Sequence, residues 1–404
     1  MRHSLALLIS VVVLSLFTGV YGAETRSYVI VGTGQTKCYS NNQEIAPPAA
    51  GQPFYGQDAQ CAGRKPAYRD NGDGTITDLN TGLTWVQARG EKMTWDAAVA
   101  GTATCRVGGQ TDWRMPSIKE LYSLINFSGG FHLSVEESTP YLDTKYFGFI
   151  YGDVAKGERP IDCQDWSATQ YISTTMNGNP TVFGVNFADG RIKGYPKTMH
   201  RREGTTENKL YVRYVRGNPQ YGRNDFHDNG DETITDRATG LMWSKADSKA
   251  GMNWAAALAW VQARNAEKYL GHNDWRLPTA KELQSIVDYT RAPAVTHSPA
   301  IDPVFQTTTL ADGEYPYFWS STTHLDGPPD KQGGAAIYVA FGRALGWMKF
   351  PPTFTLQLLD VHGAGAQRSD PKTGDPAAFP NGRGPQGDVI RILNFVRCVR
   401  DVRV

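Results

Sequence analysis

The chain has almost no net charge and carries no familiar catalytic signature. Its 41 basic and 40 acidic side chains leave a formal charge of +1 over 404 residues. No long-range field therefore gathers nucleic acid or an anionic membrane, and a charged ligand must be held by a local patch. There is no Gly-x-Ser-x-Gly, no His-Glu-x-x-His and no phosphate-binding glycine loop, which removes the commonest hydrolase, metalloprotease and nucleotide-binding readings. Cysteine is scarce: the five residues Cys38, Cys61, Cys105, Cys163 and Cys398 form no Cys-x-x-Cys and no zinc spacing. After residue 22 no stretch is apolar enough to span a bilayer.

What is present begins with a leader. Residues 1–22 read as a secretory signal, with Arg2 and His3 before an apolar run from Leu5 to Phe17 and small residues near Gly22. The mature chain is then expected to start near Ala23, in the periplasm or outside the cell. Export permits disulfides. The preferred pairs are Cys38 with Cys61 and Cys105 with Cys163, leaving Cys398 over, although spacing alone leaves the connectivity open.

The rest is a duplication. Asp112-Trp113-Arg114-Met115-Pro116 returns as Asp274-Trp275-Arg276-Leu277-Pro278, each followed by Lys-Glu-Leu at 119–121 and 281–283. Upstream of each stand Asp-Asn-Gly-Asp, at 70–73 and 228–231, and Thr-Gly-Leu-x-Trp, at 81–85 and 239–243. Downstream come Trp-Ser at 166–167 and 319–320, then Val-Arg-x-Val-Arg at 212–216 and 396–400. Asn71-Gly72 predicts a two-residue hairpin turn, and Thr94 and Ser117 are placed to cap helices. The two copies occupy 67–218 and 224–402, after an extension at 23–66 expected to lie on the first copy. Their short joint predicts that they touch. The second copy holds about 30 extra residues, Gln357 to Asp388, whose Gly, Pro and Asp content predicts a long surface loop.

These tags, in this order, resemble the Lcl C-terminal domain family, named for the Legionella collagen-like protein. The resemblance implies an exported bacterial protein, and the family's namesake is an adhesin for sulfated polysaccharide. A looser similarity, through Arg276-Leu277-Pro278-Thr279 and Arg397-Cys398-Val399-Arg400, is to the C-type-lectin-like superfold that includes the sulfatase-modifying factors. It implies an α+β fold of two tandem C-type-lectin-like modules, each with short antiparallel strands and two helices. That superfold commonly bridges its first helix and last strand by cysteines. Here Tyr214 stands where the partner of Cys105 would be, and the active cysteine pair of a formylglycine-generating enzyme is absent.

Several side chains offer chemistry. His362, Arg368, Asp370, Lys372, Asp375 and Asp388 make the insertion the best polar cluster for a site, though their spacing defines no mechanism. Arg191, Lys193, Arg201 and Arg202 belong to the one dense basic run, suited to an acidic glycan or to plain solvation. Asp70, Asp73 and Asp78, with Asp228, Asp231 and Asp236, offer hard oxygens for calcium, set against the turn-capping habit of Asp and Asn. No other cofactor is expected. The Asp-Trp-Arg stretches read as buried tryptophan with a structural ion pair, and one arginine of each closing pair as held inside. The expected role is an exported binding protein of the bacterial envelope that recognises a glycan or protein through loops. An enzyme with its active-site loop in 357–388, or a structural part of a surface assembly, are the alternatives.

Overall fold

The computed structural model describes residues 26–402 apart from 62, 133, 177, 202–203, 329–331 and 350–353. The signal-sequence reading falls on residues 1–22, outside the described residues. The fold is α+β, built from small antiparallel sheets and few helices.

Each copy opens with a meander. In the first it is β1 (Tyr68–Asp70), β2 (Thr75–Asp78) and β3 (Leu83–Val86), joined by the closing strand β7 (Val215–Gly217). The second repeats it with β8 (Phe226–Asp228), β9 (Thr233–Asp236), β10 (Leu241–Ser244) and β16 (Val399–Asp401). Ile76 pairs with Trp85 and Ile234 with Trp243, all four fully buried. A large side chain removed from water in this way contributes roughly 2–3 kcal/mol. The turn after Asp70 is longer than the predicted two-residue hairpin. Gly72 and Gly74 take positive φ, while the Asn71 amide ties Thr75 and Thr77 together at 2.9 and 3.0 Å.

The helices are α1 (Trp95–Gly101), α2 (Ile118–Ser123), α3 (Trp254–Ala266) and α4 (Ala280–Ser285), with a short helical turn at Pro293–Thr296. Both α2 and α4 begin on a complete capping box: Ser117 with Glu120, and Thr279 with Glu282. Each capping glutamate also receives a two-pronged arginine, Arg114 on Glu120 and Arg276 on Glu282. The Asp-Trp-Arg stretches are architectural. Trp113 and Trp275 are buried, and Asp112 and Asp274 each pair with the second arginine of the closing tag, Arg216 and Arg400, at 2.6 Å. The first arginine goes inside as expected. Arg213 donates to the carbonyls of Val86, Gln87 and Gly148, and Arg397 to those of Ser244, Lys245 and Gln306.

The copies share one sheet. Its six strands run β11 (Tyr317–His324), β12 (Ala335–Ala340), β15 (Gln367–Pro371), β6 (Arg191–Pro196), β5 (Asn179–Asn186) and β4 (Asp165–Thr175). On one face Ile192, Phe183, Val185, Ile337 and Val339 join the main core beneath α2 and α4. Opposite-face residues alternate with them, as a strand requires.

The insertion corrects the surface-loop expectation. The segment Gly342-Arg343-Ala344-Leu345-Gly346-Trp347 matches Gly190-Arg191-Ile192-Lys193-Gly194-Tyr195 of the first copy, but it leaves the sheet. It forms β13 (Leu345–Lys349), which pairs with β14 (Leu356–Asp360) and bridges Asp388 through Gly346. The inserted β15 takes its place against β12 across five residue pairs and meets β6 at Ile192 and Gln367. Residues 361–372 are therefore mostly buried, and exposure within the insertion is confined to Gln357, Leu358 and most of 373–385.

The extension also lies elsewhere than expected. It wraps chiefly on the second copy: Gln35 exchanges hydrogen bonds with the Thr323 backbone at 2.9 Å, and Asp58 accepts from Thr322. All five cysteines are free, which corrects both expected disulfides. Cys38 sits in a short strand opposite Ile45, whereas the Cys61 thiol turns to the Gln57 carbonyl at 3.6 Å. Cys163 points at Pro160 and Asn186. Beside the helix that precedes Cys105, the Tyr214 hydroxyl fills the space and bonds Ala98 at 2.7 Å.

A candidate binding cleft at the junction of the two copies

On the side of the shared sheet away from α2 and α4, the junction opens into a cleft of about 2010 Å³. Strand alternation builds its floor. Arg191, Lys193 and Tyr195 project from β6 between the buried Ile192, Gly194 and Pro196, and Arg368 projects from β15, with Tyr338 opposite it on β12. Asp388, at the end of the insertion, joins them. Asp326, just past β11, reaches across from the second copy.

The floor is an ion network. Arg191 bonds Asp189 at 2.9 Å and Asp326 at 2.7 Å, the latter across the copies. Lys193 is 4.0 Å from Asp189. Asp388 bridges Arg368 and His362, the imidazole lying at 2.6 Å. Burial raises the Asp388 carboxyl, but Arg368, then His362 and Lys193, outweigh it and hold it well below the usual carboxylate range. Burial also opposes ionisation of Asp189, and Arg191, Lys193 and Arg368 again overcome it. Burial and then Arg368 push Lys193 down to about 8. Burial, followed by Arg368, takes His362 to about 4, so it is neutral near pH 7.

Three polar atoms of the floor residues are buried without a protein partner: Asp189 Oδ1, Arg368 Nη1 and the Tyr195 hydroxyl. The walls carry their own pairs, Lys92 with Glu158 at 2.5 Å and Arg159 with Asp162 at 2.6 Å.

The sequence-selected residues divide accordingly. Arg191, Lys193, Arg368 and Asp388 meet at the floor, although the first two come from a basic run and the others from the insertion. Asp370 lines the cleft but is fully buried, accepting from Arg391 N, Ile392 N and Asn394 Nδ2 at 3.0 to 3.1 Å. Lys372 is fully buried too. It donates to the Ser40 carbonyl and the Thr323 hydroxyl and lies 3.8 Å from the centre of the Trp254 ring. His362 is 1% exposed, so it supports the floor through Asp388 without presenting a reactive nitrogen to the cleft. Asp375 is exposed and caps a turn through Ala377 N. Arg201 belongs to the short strand Thr198–Arg201, and Arg202 lies outside the described residues.

The acidic turns do not converge. Asp70 accepts from Gly72 N, and Asp73 from Thr75; Asp228 and Asp231 repeat both contacts. Asp78 and Asp236 cap the next turns. Among the described residues no three His, Cys, Asp or Glu side chains are grouped to hold a metal ion.

Sequence reading missed Asp189, Tyr195 and Asp326. Asp189 and Tyr195 flank Arg191 and Lys193 within a few residues, which was the available signal. Asp326 carried none, because only the docking of the copies brings it there.

No helix among the described residues is long and apolar enough to cross a membrane. No curated protein matches the chain at a significant level. The model of the Lcl C-terminal domain matches twice, at residues 74–216 and 232–352, and the second match ends before β14 and β15. With most of its length in those two matches, the chain belongs to the Lcl C-terminal domain family, as a tandem pair.

Proposed function

We propose that this is an exported, surface-associated binding protein that holds a glycan in the cleft between its two copies. The observation that carries the reading is the floor itself. A groove without a ligand would gain little in stability from six charged groups of mixed sign on its floor, whereas polar recognition needs fixed donors and acceptors at known positions. The family resemblance, the secretory leader and the C-type-lectin-like reading of each copy point the same way. In that reading the helix-start stretch meets the last strand, as Arg276 does with Val399 and Arg114 with Val215.

The site moves from loops to a sheet floor. Strands hold side chains more rigidly than loops, which favours selective over adaptable binding. The test is a glycan array with the mature chain, followed by titration of each hit against Lys193→Ala. Retention of a glycan with at least ~10-fold weaker binding by the variant, about 1.4 kcal/mol, supports the reading. An empty array, or hits indifferent to the substitution, would sink it.

A further inference from the structure

Resting on that reading, we infer that the cleft floor selects a neutral, hydroxyl-rich sugar and disfavours a sulfated or uronate-bearing one. Charge balance carries the argument. Arg191, Lys193 and Arg368 face Asp189, Asp326 and Asp388, three cations against three carboxylates. Each cation is already engaged: Arg191 by two carboxylates, Arg368 by Asp388, and Lys193 by Asp189 at longer range. Lys193, pushed down to about 8, still carries its proton at pH 7, so the balance holds there.

An anionic group brought to this floor would meet no uncompensated cation. Its desolvation would go unmatched unless an existing pair broke. A sugar hydroxyl is different, since it donates once and accepts twice. The floor offers both halves of that exchange in its partly accessible side chains: Lys193 (14%) donates, and Asp326 (16%) and Asp388 (17%) accept. Asp189 Oδ1, Arg368 Nη1 and the Tyr195 hydroxyl belong to the same floor residues but are closed to solvent and without protein partners. Adjacent hydroxyls on one sugar ring match this mixed set, and the rings of Tyr195 and Tyr338 line the same cleft.

The experiment is calorimetric titration of the mature chain with a neutral oligosaccharide from the array and with the sulfated form of the same backbone. Both are run at about 50 and 300 mM salt, spanning a large change in screening. The expected result is at least ~10-fold tighter binding of the neutral form, with less than ~2-fold loss between the two salts. Asp326→Asn, which leaves the floor one positive charge in excess, is expected to narrow that preference by at least ~5-fold. Equal or tighter binding of the sulfated form, lost in Lys193→Ala, overturns the inference while the cleft reading stands. Binding of either form that ignores Lys193→Ala, or no binding at all, overturns both.

Discussion

The ammonium of Lys281 donates to the carbonyl of Ser123 at 2.7 Å. The duplication makes this contact reciprocal, because Lys119 donates to the carbonyl of Ser285 at 2.6 Å. Each lysine comes from its copy's Lys-Glu-Leu tag and closes the end of the other copy's helix, where carbonyls are otherwise unmatched. The tag is thus a docking element as well as a helix start, and it holds α2 and α4 together beneath the shared sheet.

Replacing Lys281 by methionine strands the Ser123 and Gly32 carbonyls in a buried interface. The expected cost is about 2–4 kcal/mol in urea unfolding. Burial pushes Lys281 down from 10.5 to about 7, and Lys119 down to about 8. Between those values and 10.5 the unfolded chain binds protons that the folded chain does not, so stability rises with pH across that window. Wild-type protein should gain stability from pH 7 to 9, below the range where the buried cysteines act in the opposite direction, and Lys281→Met should gain distinctly less. Equal slopes would show that the lysine is not buried as described.

Arg397→Lys should be almost as damaging as Arg397→Met. The guanidinium serves the carbonyls of Ser244, Lys245 and Gln306 at once, and an ammonium cannot reproduce that planar fork. Both variants are expected to lose about 3 kcal/mol or more. A lysine variant within ~0.5 kcal/mol of wild type would refute the claim that fork geometry matters here.

Within the insertion, Asp370→Ala and Asp375→Ala should differ sharply. The first removes the acceptor for three donors, two of them buried, with an expected cost of about 2–4 kcal/mol. The second loses one exposed turn cap, at a cost below ~1 kcal/mol. Denaturant midpoints of the two variants provide the check.

That contrast marks what the sequence could and could not express. The duplicated tags, the helix caps at Thr94 and Ser117, an inward arginine in each closing tag and contact between the copies were readable, because each depends on local spacing or on a pattern met twice. The strand Gln367-Arg368-Ser369-Asp370-Pro371 has no apolar alternation to announce it. It is a strand because β12 and β6 offer hydrogen bonds on either side, which is tertiary context overriding local preference. A Gly, Pro and Asp-rich composition therefore looked the same for the buried β15 and for the exposed stretch after it. Asp326 was invisible for a related reason, since its partner Arg191 belongs to the other copy.

Alkylation of the denatured, unreduced chain should label five thiols, with no change in unfolding temperature on adding reductant. In the folded state burial pushes Cys61 up to about 12 and raises Cys163 further, so both should react slowly until the chain unfolds. Loss of two labels per bridge would restore the disulfides that export led one to expect.

Hydrogen exchange of the mature chain, with and without a bound array oligosaccharide, tests the central claim most directly. Binding at the junction predicts added protection in residues 189–195, 367–371 and 388–391, drawn from both copies at once. Protection confined to residues 373–387, or to one copy alone, would contradict it.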